Sequence, residues 1–323
     1  MDTNSNLIES FPLTIRKTLQ KYTRLPQNIS NTFYHFTTHE GIEGIIRNGG
    51  IRATYRKHMN DNKEFEYSKD IIYKAMANIE NRSDLPKLAK DISKQVKQNL
   101  EIHFNDTAKM SSSFCSCLTR SSDDKKQWKK YAEEGRGFAL GFNLLQILTR
   151  QYPKFQTNRP LIFCNPVIYD KTAQLNLVTD LMIAGVKDLK NFADNCSQRS
   201  EDLTKLRDRI TAAIFVDLFT ISNFMKSETL SFEREMRLFY STTDLTVSQL
   251  NVQYYKIDSI SLPFVLMDMR DTKTKRLPLS EITIGPKASF DREKDFLNDL
   301  LDDLGYGNNY NDRPNINQLS AKS

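Results

Sequence analysis

Apolar positions along this chain change period several times, and each change marks an element. Residues 31–38, "NTFYHFTT", are aromatic and β-branched with little helix propensity and read as a strand. In "THEGIEGIIRN" the apolar residues Ile42, Ile45 and Ile46 fall at helical spacing, with Thr38 placed to cap the helix and Glu40 in its first turn. Gly49 and Gly50 fit the C-terminal stop, where φ turns positive, and Ile51 opens another extended piece. Residues 62–108 and 171–228 read as charged, mainly helical insertions. Between and after them, "SSSFCSCL" (111–118), "GRGFALGFNL", "LIFCNPVIYD" (161–170), "SETLSFEREMRLFYS", "YYKIDSISLPFVLMDM" and "LPLSEITIGPK" read as strands. In the fourth of these, Phe232, Met236, Leu238 and Tyr240 alternate with polar positions for part of its length. "DREKDFLNDLLDDLGY" closes with a helix.

This order predicts a single α+β domain over 31–303, preceded by a helical extension at 1–30 and followed by a flexible polar tail at 304–323. The length of 323 residues is ample for a sizeable core. No apolar run approaches the ~18–20 residues of a membrane span, and "MDTNSNLIESFPL" lacks the basic and apolar regions of a secretion signal. The four unevenly spaced cysteines do not form a disulfide framework. A cytoplasmic protein with no membrane partner is the expectation. The net charge of +6, with a pI of about 8.9, is compatible with a polyanionic partner.

Most familiar chemistries are missing. The sequence contains no GxSxG, no Walker A loop and no GxGxxG, and "GRGFALG" has the wrong spacing. His35 and His39 are spaced HxxxH and Cys115 and Cys117 CxC, but the histidines straddle a strand–helix junction. Two small buried thiols and unrelated histidines explain both patterns, so no metal is expected. His35, the "MNDNKEFEY" loop, "SSSFCSC" and "FEREMR" remain. Glu233 and Glu235 lie two apart on an expected strand and would project from one face.

These residues carry a resemblance. "FYHFTTHEGIEGIIRNGGIRA" resembles the first motif of the ADP-ribosyltransferase superfamily, in which a strand ends in a histidine and a small hydroxyl residue before a short helix and a glycine turn. The ordered set "YHFT…MND…E…SFCS…W..YA…GFALGF…FERE.R…ITIGP", spanning about residues 33–290, is similar to a widespread bacterial domain family of the same fold. The resemblance implies a split, mixed or antiparallel β-sheet core carrying helical insertions. It implies NAD as co-substrate, with His35 bonding the nicotinamide-side ribose and Thr37 helping to hold the dinucleotide. Arg52 would meet the phosphates as a guanidinium fork. Glu235 would be the catalytic glutamate, stabilising the oxocarbenium-like charge as nicotinamide leaves, and Glu233 would orient the acceptor. Ser113 and Ser116 would brace the glutamate. Asn60, Asp61 and Glu64 would form a loop near the cleft, with Tyr67 or Tyr55 stacking on nicotinamide. Trp128 and Tyr131, at i, i+3 spacing, are expected to pack in the core. The acceptor would be RNA, DNA or a protein, with nucleic acid favoured by the basic balance. Toxin–antitoxin and phage-defence modules that use such enzymes imply an inhibitory partner protein. Hydrolysis of NAD, and a binding module that keeps the fold without catalysis, are the alternatives.

Overall fold

The structure, a computed structural model, describes residues 17–18, 21–22, 32–56, 62–105, 114–144, 146–147, 161–195, 200–241, 251–257, 259–271, 274–307 and 313–320. It is mixed α/β and divides into two compact units, one of residues 1–25, 59–111 and 165–232, the other of 26–58, 112–164 and 233–323.

The first unit gathers the two helical insertions. Helices α2 (Asn62–Asn81) and α3 (Lys87–Asn105) come from one, and α5 (Lys171–Asn195) and α6 (Ser200–Ser222) from the other. The stripe Ile210, Ile214, Leu218 and Ile221 recurs every three or four residues and is buried throughout, as is Ala89, Ile92, Val96 and Leu100. Each stripe needs a partner helix, so segments some hundred residues apart in the chain converge: α5 packs on α2 and α6, and α3 on α2 and α6. The two expected insertions thus gather into one compact helical unit. Several polar groups inside it bond one another across the unit. Buried Gln174 donates to the carbonyls of Ile168 and Lys226 at 2.6 and 2.8 Å and accepts from the Tyr67 hydroxyl at 2.9 Å. Lys226 meets Glu64 at 2.8 Å.

The second unit is built on a sheet. Its strands are β1 (Thr32–Thr37), β2 (Gly50–Tyr55), β3 (Phe114–Thr119), β4 (Phe138–Asn143), β5 (Leu161–Pro166), β6 (Glu235–Ser241), β7 (Gln253–Ile257), β8 (Ile260–Asp268), β9 (Leu279–Ile284) and β10 (Asn315–Gln318). Their order is β10-β9-β4-β1-β3-β2-β8-β7, with β6 paired to β3 and β5. Helices α1 (His39–Asn48), α4 (Lys125–Tyr131) and α7 (Phe290–Asp303) belong to this unit. No helix among the described residues is long and apolar enough to cross a membrane.

Strand β3 is where the sheet branches. Its whole length pairs antiparallel with β6, from Phe114↔Tyr240 to Thr119↔Glu235. A strand has two edges, so β1 and β2 share the other. There β1 meets only its end, at Tyr34↔Thr119, and β2 only its start, at Thr54↔Cys115 and Tyr55↔Phe114. Beyond β3 the two diverge, β1 running along β4 and β2 along β8. They are parallel, as both oppose β3, and α1 is the crossover between them.

The local signals around α1 act as their chemistry predicts. The Thr38 hydroxyl accepts from Gly41 N at 3.0 Å, and Gly49 ends the helix in the left-handed region at φ 69°. Trp128 packs edge-on to Phe36, centroids 4.9 Å apart, and its indole donates to the Ser122 carbonyl at 2.7 Å; Tyr131, by contrast, is exposed.

The tail expectation is corrected. Within 304–323, residues 315–318 add β10 parallel to β9. Arg313 bonds Asn298 and Asp302, and Asn317 donates to Glu281. Backbone and amide pairing hold this strand more than apolar burial does, so its polar composition concealed it.

Candidate active site

The site lies where the sheet branches. Residues 116–118 of β3 sit between the footings of β1 and β2, and the carbonyl of Cys117 takes the His35 imidazole instead of a strand, Nδ1 to O at 3.1 Å. A carbonyl can only accept, so Nδ1 carries the proton and, in the neutral ring, Nε2 is an acceptor. Burial pushes the imidazole below its ordinary value, and the Cys117 bond only partly offsets this. His35 is therefore neutral at physiological pH. The sign follows: the unfolded chain binds the proton more readily, so stability is fullest above about pH 6.5 and falls as pH drops below it. Thermal melts between pH 7.5 and 5 should show this loss, reduced in His35→Gln; identical pH slopes in the two proteins would refute it.

His35, Thr37 and Arg52 line one cleft of about 260 Å³, together with Thr38, Glu40, Gly41, Gly44, Asn48 and Leu266. Three of the sequence-predicted binding residues are thereby brought together. The Arg52 guanidinium is exposed and lies over the rings of Phe264 and Tyr255, 5.1 and 5.8 Å from their centroids.

Glu235 opens β6 and is 6% exposed. Its Oε1 accepts from Arg237 Nε at 2.8 Å and from the Cys117 thiol at 2.5 Å, and its Oε2 from Arg237 Nη2 at 3.3 Å. Strand alternation puts Glu235 and Arg237 on one face, and the β3–β6 register puts Cys117 and Thr119 beside them. Arg237 is fully buried. Cys117 thus touches both candidate residues, its carbonyl on His35 and its thiol on Glu235. Glu235 is not among the residues lining the cleft.

Other expectations change. Glu233 does not share a strand with Glu235: it ends the 3-10 segment Glu228–Glu233, and Arg234 between them has φ 46°. That left-handed residue, uncommon outside glycine, breaks the alternation on which a paired ExE face depends. Ser116 lies opposite Leu238, on the face of β3 away from Glu235, so the brace on the glutamate is Cys117. Ser113, Asn60 and Asp61 fall outside the described residues. Glu64 and Tyr67 belong to the helical unit, held by Lys226 and Gln174. Tyr55 packs its ring on Phe114, centroids 5.6 Å apart. His39 lies 3.4 Å from Glu293 with its ring 4.1 Å from that of Phe296, turned to α7 and away from any pairing with His35.

Cys117 and Arg237 are the residues that sequence reasoning missed. CxC spacing announces only that two thiols share a face. Arg237 was visible as the last residue of "FEREMR", but alternation cannot tell a buried arginine from a solvated one.

Residues 127–238 match a family model described as "Protein of unknown function (DUF2971)". The match takes in Glu235 and Arg237 and stops short of His35 and Arg52. No curated protein and no solved structure matches the chain.

Proposed function

We propose that this chain is an NAD-dependent ADP-ribosyltransferase with an ADP-ribosyltransferase-like split sheet, and that its acceptor is a nucleic acid. The observation that carries the reading is Cys117, which joins His35 to Glu235 at the fork of the sheet. His35, Thr37 and Arg52 share a cleft whose volume, about 260 Å³, is just under the ~300 Å³ at which small-molecule pockets begin. It suits one end of a dinucleotide rather than the whole. Arg52 supplies a fixed cation for the diphosphate. His35 Nε2, an acceptor, suits a ribose hydroxyl.

In the reaction the bond between nicotinamide and ribose C1′ breaks, its electron pair leaves with nicotinamide, and the ribose becomes oxocarbenium-like. Glu235 provides the negative charge that this cation requires. A nucleophilic atom of the acceptor then bonds to C1′ and releases its proton to solvent. The net charge of +6 favours a polyanionic acceptor. The exposed Tyr254 and Lys256 on β7, with Tyr255 beside Arg52, offer stacking and charge.

A second reading rests on the position of Glu235 behind Cys117 rather than in the cleft. On it, the Glu235–Arg237 pair is purely structural and the cleft only binds. One measurement separates them: nicotinamide release from labelled NAD, alone and with RNA, DNA or protein. The enzyme reading expects release with label entering nucleic acid. Absence of release under every condition leaves the binding module.

A further inference from the structure

Helix α1 presents Gly41 and Gly44 to the cleft, and the two glycines are there for different reasons. A Cβ at Gly41 would stand 2.0 Å from Thr37 Oγ1, so packing alone excludes a side chain. At Gly44 a Cβ would meet, among the described residues, only Asn48 Nδ2, at 4.0 Å. Nor does the backbone demand glycine, since positive φ at the end of α1 falls on Gly49. Glycine weakens a helix interior relative to alanine, because it has more conformational freedom to lose on folding. Position 44 therefore carries a residue that is unfavourable to the helix and that no neighbour among the described residues requires. The Gly44 carbonyl accepts from Asn48 Nδ2 at 2.7 Å, which draws that side chain back along the helix.

We propose that Gly44 is a clearance position: the bound dinucleotide lies against the α1 backbone here, and a side chain would occupy its place. The inference rests on the NAD reading and assigns to that site a residue selecting for ligand shape. It is tested by measuring, in the full-length chain, the melting temperature and the KM for NAD of nicotinamide release for wild type, Gly44→Ala and Gly44→Leu. Both variants should melt about 1–3 °C higher, since both strengthen the helix. KM should rise about threefold with alanine and about 10- to 100-fold with leucine, which extends into the cleft. Higher stability with weaker NAD use is a combination that a structural glycine would not produce. Gly44→Leu with wild-type KM overturns the clearance role, and so does a lowered melting temperature in Gly44→Ala. Wild-type protein that releases no nicotinamide overturns the NAD reading itself, and the clearance role with it.

Discussion

On the transferase reading proposed above, Glu235→Gln is expected to lower NAD turnover by about 10²–10³-fold, the cost of removing one preorganised electrostatic group. Glutamine keeps the shape and loses the charge that an oxocarbenium-like ribose needs. It also has a consequence for the fold. One carboxylate oxygen becomes an NH₂ group facing the Arg237 guanidinium, which is fully buried and bonds both oxygens of Glu235. Taking a charged partner from a buried cation is costly. The variant should therefore lose thermal stability as well as activity, and the two losses must be separated. Glu235→Gln combined with Arg237→Met removes both charges, so it should regain stability while staying inactive. Nicotinamide release by Glu235→Gln within a few-fold of wild type would end the catalytic assignment and leave the structural ion pair.

Arg237→Met alone carries the largest expected stability effect, a loss of about 3–5 kcal/mol, because it removes the buried guanidinium that bonds both oxygens of Glu235. Methionine is close to arginine in length and apolar volume, so the cost comes from the lost ion pair more than from a cavity. Chemical denaturation of the purified variant measures it. Recovery of most of that loss on adding Glu235→Gln would assign the cost to the pair. A single variant within about 1 kcal/mol of wild type would show that the pair contributes little.

The two predictions differ in how much of their basis the sequence supplied. His35 and Glu235 were named on their motifs, yet the arrangement around them was not legible there. Glu233 shows why. The spacing ExE implies one face only if the strand is continuous, and Arg234 at φ 46° interrupts it. Ser116 and Cys117 show the same limit: adjacent residues on β3 face opposite ways, and only the register with β6 decides which one meets Glu235.

By itself the sequence determined what local chemistry controls. The β1–α1–β2 unit, its Thr38 cap and its Gly49 stop follow from hydroxyl capping and positive φ within a few residues. The helical insertions, and the eight extended segments that hold β1–β9, follow from apolar periodicity and strand-forming composition. Only the tertiary structure decided what depends on long-range pairing. It gathered the two insertions into a unit of their own, drew β10 from a polar tail, and buried Arg237 under Glu235. It also forked the sheet on β3, which brings residues 35, 117 and 235 together. The reason is physical: capping and periodicity act over one or two turns of chain, whereas strand order and register are set by which distant edges bury one another's surface and satisfy one another's backbone.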